Sequence, residues 1–168
     1  MATANLTLGR LRELLSYDPK TGVFVSLTRR KTWESGRVTG AKENRTGYGR
    51  VIVDGTYYRA HRLAWFYVHG EWPHAIDHIN GNRYDNRLCN LRSVSVKTNN
   101  ENLRVAKETN QSGFLGVRAK SNGKFAADIK ATLGGKRLML YLGSYATAEE
   151  AHAVYVDAKR RLHDGCSI

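Results

Sequence analysis

The dipeptide Asp54-Gly55, set between the β-rich runs Tyr48 to Val53 and Thr56 to Ala60, constrains the fold more than any other local feature of this chain. A two-residue connection of this kind needs positive φ at both positions, which Asp tolerates and Gly adopts freely. The flanking runs are therefore expected to pair as a tight antiparallel hairpin. His61 to His69 then changes period: Leu63, Trp65, Phe66 and Tyr67 turn mostly inward on a helix that Gly70 and Pro73 end. Upstream, Thr7 is placed to cap a helix over residues 7–16, with Leu8, Leu11, Leu14 and Leu15 on one face. A turn at Asp18-Pro19-Lys20-Thr21-Gly22 leads to a strand from Val23 to Leu27, and Arg29 to Arg45 reads as a polar, basic loop.

The segment Ala75 to Lys107 reads strand (Ile76 to Ile79), polar loop, short strand (Leu91 to Val94) and helix. Turn formers crowd residues 80–86, and Ser95 is placed to cap the helix, which is expected to run to about Lys107. Thr109 to Gly113 reads as a linker. Three strands follow, over Phe114 to Lys120, Lys124 to Ala131 and Lys136 to Leu142, with turns at Ser121-Asn122-Gly123 and Gly134-Gly135. Thr147-Ala148-Glu149-Glu150 is a capping box, opening a helix to about Leu162 whose Ala148, Ala151, Val154, Tyr155 and Ala158 offer a small-residue face to a sheet.

Charge points to the partner. The chain has 27 Lys and Arg against 15 Asp and Glu, a formal net charge of +12, and such a field attracts polyanions, nucleic acid first. Residues 1–60 hold 11 basic and 5 acidic side chains and residues 111–168 hold 9 and 5, whereas residues 61–110 hold 7 and 5. That suits flanks that grip phosphates around a centre with another task. Cys89 and Cys166 lack the spacing of a zinc site or a disulfide framework, and no apolar run resembles a signal peptide or a membrane span. The chain reads as intracellular.

The centre carries hydrolytic chemistry. Cutting a phosphodiester requires a water to lose a proton, charge on the transition state to be neutralised and the departing 3′ oxygen to be stabilised. A neutral imidazole meets the first need; one hard divalent cation on oxygen ligands meets the others. Asp77-His78 at a strand end, Asn90 before the return strand and Asn99 one turn into the helix supply such groups. His78 is read as the general base, Asp77 and Asn99 as metal ligands, and Asn90 as a loop-spanning group that keeps His78 oriented. An isolated Asp-His in a turn-rich loop is more often an ordinary hydrogen-bonded pair; the ordered set of blocks decides against that here.

Those blocks are Asp77-His78-Ile79-Asn80-Gly81-Asn82, Asp85-Asn86-Arg87, Asn90-Leu91-Arg92 and Asn99-Asn100, with His61-Arg62-Leu63-Ala64-Trp65, Gly70 and Trp72-Pro73 upstream. Together, over about residues 7–107, they resemble the HNH (ββα-metal) endonucleases of phage and intron homing type. The resemblance implies that Asp77 and Asn99 bind one divalent metal, Mg²⁺ or Mn²⁺, that His78 activates water and that Asn90 is structural. Asn99 stands where many relatives have a histidine. His61 and Arg62 open a helix, where phosphate contact and packing are equally open readings, and His69 and His74 read as structural or solvent-facing.

Gly116-Val117-Arg118, Gly123 to Lys130, Leu142-Gly143-Ser144-Tyr145 and Thr147 to Ala151 are similar to the plant ethylene-response-factor (apetala-two type) DNA-binding domain, over about residues 112–165. The resemblance implies a three-stranded sheet that enters the major groove. Alternate residues of a strand share a face, so Arg118 and Lys120 point together, as do Lys124, Ala126, Asp128 and Lys130. Arg118, Lys120, Lys124, Lys130 and Arg137 are the DNA-contact candidates there, with Arg29, Arg30, Lys31 and Arg62 adding phosphate contacts upstream. Phe125 and Tyr141 stand where tryptophans are usual, and Met139 replaces a basic residue.

The expected fold is α+β. An N-terminal helix and hairpin lobe (1–60) precedes a ββα-metal HNH core (61–108), a linker (109–113) and a three-stranded antiparallel sheet packed on one helix (114–168). The expected activity is metal-dependent hydrolysis of double-stranded DNA, with no membrane association and no obligate protein partner. The alternatives are a non-catalytic DNA-binding regulator that retains the scaffold, and a nuclease for structured RNA.

Overall fold

A computed structural model describes residues 6–28, 35–103, 105–163 and Cys166, so Arg29, Arg30 and Lys31 lie outside the described residues. The chain divides into two compact units, Met1–Ser95 and Val96–Ile168.

The first unit opens with α1 (Leu8–Leu14), capped by Thr7, whose hydroxyl accepts from the Arg10 amide. The helix stops two residues short of its expected end. Leu15 leaves it to begin β1 (Leu15–Asp18), which pairs antiparallel with β2 (Val23–Ser26), Leu15 opposite Ser26. Asp18 closes the turn by accepting from the Lys20 amide and the Thr21 hydroxyl, and Gly22 takes a φ of 74°. Two short strands, β3 (Val38–Thr39) and β4 (Ala41–Lys42), occupy the segment expected to be loop. The Asp-Gly hairpin is present as β5 (Gly49–Val53) and β6 (Thr56–Arg59), with φ of 45° at Asp54 and 79° at Gly55. Next, α2 (Ala60–His69) ends at a left-handed Gly70, and β7 (Ala75–His78) pairs with β8 (Leu91–Val94), Leu88–Asn90 forming a short 3₁₀ turn before β8.

A single core joins these elements: Leu11 and Leu14 of α1, Tyr17 and Phe24 of the first hairpin, Val51 and Val53 of β5, Leu63 and Phe66 of α2, and Ile76 and Leu91 of the last hairpin. Each fully buried Leu contributes about 1.5–3 kcal/mol by leaving water, so Leu11 and Leu63 alone tie the two helices firmly. The N-terminal lobe and the β7–β8 hairpin thus fold as parts of one unit.

The second unit starts at α3 (Val96–Glu101), shorter than the helix to Lys107 expected from sequence. Its sheet runs β11 (Lys136–Tyr145), β10 (Phe125–Leu133), β9 (Val117–Ala119), all antiparallel, and α4 (Ala148–Leu162) packs against it. The Thr147–Glu150 capping box forms with both of its hydrogen bonds. Small residues let α4 lie close: Ala148, Ala151 and Ala158 meet Val117, Ala127 and Ile129, with Tyr155 filling the remaining space. At Gly116 a Cβ atom would fall 2.0 Å from the Tyr155 ring, and φ there is 76°, so glycine is required twice over. The α+β class and the sheet-on-helix arrangement of the second unit agree with the sequence reading.

Candidate functional site

Consecutive residues of a strand face opposite sides, and β7 follows this: Ile76 and His78 turn inward, Ala75 and Asp77 outward. Asp77 lies directly across from Arg92, whose Nε and Nη2 donate to Asp77 Oδ2 at 2.8 and 2.7 Å. The two neighbours therefore end β7 with different surroundings.

His78 is 4% exposed. Its ring meets His61 edge-on, with centroids 5.1 Å apart, and Tyr48 at 5.9 Å. Its Nε2 lies 3.4 Å from Asn86 Oδ1. Burial pushes the His78 pKa below its ordinary value, against the opposing pull of the Asn86 hydrogen bond and the Asp77 and Asp85 charges. The imidazole is thus neutral near pH 7 and able to accept a proton. His61 is pushed down further, to about 3, by burial and then by His78, and its buried Nδ1 has no hydrogen-bond partner among the described residues.

The loop between β7 and β8 is held by amides. Asn90 Oδ1 accepts from the Asn80 amide at 2.9 Å, and Asn90 Nδ2 donates to Asp85 O at 2.8 Å. Asn80 Oδ1 accepts from the Asn82 amide, Asn82 Oδ1 accepts from the Tyr84 amide, and Asn80 Nδ2 donates to Asp85 Oδ2. The Arg87 guanidinium, hydrogen-bonded to Asp85, holds that carboxyl well below the usual carboxylate range. Asn90 therefore braces the loop backbone, while the polar side chain that touches the His78 ring is Asn86. Asn86 stands in the Asp85-Asn86-Arg87 block with no spacing that marks this role, and no sequence signal marks Tyr48 as a neighbour of His78.

Asp77, His78 and Asn90 belong to the first unit, whereas Asn99 is half-buried on α3 in the second. Among the described residues no group of three or more His, Cys, Asp or Glu could hold a metal ion. The donors on offer are a carboxylate and amide oxygens. Such hard oxygen donors fit a cation of the Mg²⁺ kind, which keeps several of its waters, and do not fit a zinc-type cage. Arg62 braces the fold by donating to His74 O at 3.2 Å, and His69 lies against Trp65 with ring centroids 4.1 Å apart.

In the second unit, cross-strand register defines an outer sheet face away from the Ala127 and Ile129 core. Arg118 stands opposite Ala126, and Asp128, Lys130 and Thr132 stand opposite Tyr141, Met139 and Arg137. An extra residue in β11, Leu142, forms a bulge between the Ala127–Gly143 and Asp128–Tyr141 pairs. Lys130, Arg137, Met139 and Tyr141 are exposed; Arg118 forms an ion pair with Asp128 at 3.2 Å, and Lys120 and Lys124 flank the turn before β10. A groove of about 820 Å³ is lined by Lys97, Lys107, Arg118, Lys130 and Arg137, with Glu101 and Asp128 as its acidic members.

Residues 58–101 match the family model described as HNH endonuclease. The match runs from the end of β6 through α2, the β7–β8 hairpin and α3, so the amide-braced loop and His78 lie inside the matched residues. The chain is also similar to plant transcription factors. It is 49% identical over 49 residues to the ethylene-responsive transcription factor ERN3 of Medicago truncatula, covering 29% of this chain and 20% of that protein. It is 48% identical over 50 residues to the dehydration-responsive element-binding protein 2E of Oryza sativa subsp. japonica, covering 30% and 15%. A third, the ethylene-responsive transcription factor ERF117 of Arabidopsis thaliana, is 34% identical over 86 residues, covering 49% and 26%. The chain thus spans about a quarter or less of the length of these relatives. No solved structure matches it. Both resemblances read from the sequence are borne out, and among the described residues no helix is long and apolar enough to cross a membrane.

Proposed function

We propose that this chain is a divalent-metal-dependent endonuclease that hydrolyses phosphodiester bonds of duplex DNA, with its second unit as an added DNA grip. The observation that carries the reading is a buried His78 imidazole at the end of β7, next to Asp77 and inside the residues matched by the HNH family model, with burial pushing its pKa down. His78 takes a proton from water, the resulting hydroxide attacks phosphorus, and the P–O3′ bond breaks as the new P–O bond forms. The 3′ oxygen leaves with a proton drawn from solvent. Asp77 and Asn99 are the proposed ligands of one cation, Mg²⁺ or Mn²⁺, which when bound neutralises charge on the phosphate. Asn90 keeps the loop in shape. Lys130, Arg137, Arg118, Lys120 and Lys124 offer phosphate and base contacts, and Arg29, Arg30, Lys31 and Arg62 further phosphate contacts. DNA as the substrate makes the proposed protein an intracellular one, and the resemblance to phage and intron homing enzymes makes a phage or other mobile element its proposed source.

The Arg92–Asp77 ion pair favours a second reading, a DNA-binding regulator in which a cation never displaces the guanidinium. Nicking of supercoiled plasmid separates the two. Cleavage with Mg²⁺ is expected, loss of it with chelator, and a fall of about 10²–10⁴-fold in His78→Ala with DNA binding retained. A wild-type protein that binds plasmid but leaves it intact with either metal would be the regulator.

A further inference from the structure

We propose that Asn86 is a positioning residue that fixes the tautomer of His78, so that Nε2 carries the hydrogen and Nδ1 presents the lone pair that accepts the proton from water. This rests on the nuclease reading above and deepens it. The argument begins with the amide. Asn86 is 6% exposed, and its Nδ2 donates to Tyr84 O at 3.2 Å. The opposite orientation would set Oδ1 against a carbonyl oxygen, two acceptors facing each other, so Oδ1 is the atom turned toward His78 Nε2 at 3.4 Å. An acceptor there requires a hydrogen on Nε2. A neutral imidazole has only one ring hydrogen, which leaves Nδ1 as the base.

The amide is itself held in a mould made by the N-terminal lobe. The Tyr17 hydroxyl donates to Asn86 O at 2.7 Å, and the Leu88 amide donates to Pro19 O at 2.9 Å. Gly22 lies so close that a Cβ atom there would be 2.5 Å from both Arg87 N and Asn86 C. On the side-chain side, a Cβ at Gly49 would be 3.2 Å from Asn86 Nδ2. Tyr17 of β1, the Pro19–Gly22 turn and Gly49 of β5 thus crowd Asn86 on both its backbone and its amide side. Besides the ring contact of Tyr48, the lobe thus acts on His78 through a residue that neither touches substrate nor holds the cation.

The test is ¹⁵N-histidine NMR on the full-length chain, combined with plasmid nicking. His78 is expected in the Nε2–H form in the wild type and as a mixture of tautomers in Asn86→Leu. Nicking by Asn86→Leu is expected to lose about tenfold in kcat with KM unchanged, at the lower end of the loss when the hydrogen-bond partner of a metal-ligating histidine is removed. Asn86→Asp, which keeps an acceptor oxygen, is expected to recover part of the loss. A wild-type His78 in the Nδ1–H form overturns the proposal, as does Asn86→Leu with wild-type kcat and an unchanged tautomer. If Asn86→Leu fails to fold, the wild-type spectrum and Asn86→Asp decide. A wild type that shows no metal-dependent nicking removes the nuclease reading, while the spectrum still settles whether Asn86 sets the tautomer.

Discussion

The two units use polar side chains in opposite ways. In the first, Tyr17, Asn80, Asn82, Asn86 and Asn90 turn their hydrogen bonds onto backbone, so that one loop is fixed from several sides. In the second, Lys130 and Arg137 stand exposed on a sheet whose other face packs Val117, Ala127 and Ile129 against the alanines and Tyr155 of α4. The contrast separates two demands. A proton acceptor must be held to a fraction of an ångström, whereas a phosphate grip needs only charge on a firm surface. It follows that substitutions in the first unit should couple stability to chemistry, and those on the outer sheet face of the second should change affinity alone.

The largest expected effects come from two glycines, one in each unit. Gly22→Ala and Gly116→Ala each place a methyl group inside van der Waals distance at positive φ, a destabilisation on the order of 3 kcal/mol. Hydrogen exchange should show protection lost around Asn86 and Leu91 in the first variant and across β10 and α4 in the second. Loss spread over both units in either variant would break the comparison. Next in size is pH. His61 and His78 have folded-state pKa values below the ordinary value near 6.5, so the unfolded chain binds more protons and stability rises with pH. That stability is fully present above about pH 6.5 and is lost as pH falls toward the His61 value of about 3. Denaturant unfolding should record about 2 kcal/mol less at pH 5 than at pH 7, and His61→Phe should flatten the dependence. The smallest effects sharpen the other half of the contrast. Lys130→Ala and Arg137→Ala should leave the melting temperature unchanged and each reduce the slope of log affinity against log salt by about one.

What was legible in the sequence was local. Asp54-Gly55, Gly70, Thr7 and the Thr147–Glu150 box act within a few residues of themselves, and each appears where the residues placed it. The end of α1 was not legible, because the pairing of Leu15 with Ser26 overrides a run that reads as helix to residue 16. Likewise α3 stops at Glu101, short of the end near Lys107 expected from the sequence. Within the candidate site, Asp77, His78 and Asn90 announce themselves by spacing. The enclosure of His78 by His61, Tyr48 and Asn86 does not, since those groups come from three separate elements brought together by the core. Arg92 on Asp77 was equally hidden, being a matter of strand register.

The bond from Tyr17 to Asn86 spans 69 positions of sequence. A chain grows from its N-terminus, so the β1–β2 turn is complete before the segment it grips has been made. Anyone transplanting the β7–β8 loop into another scaffold would carry over every residue of the motif and leave behind the surface that gives it shape. The smallest portable unit is accordingly discontinuous: the loop together with Tyr17, Pro19 and Gly22.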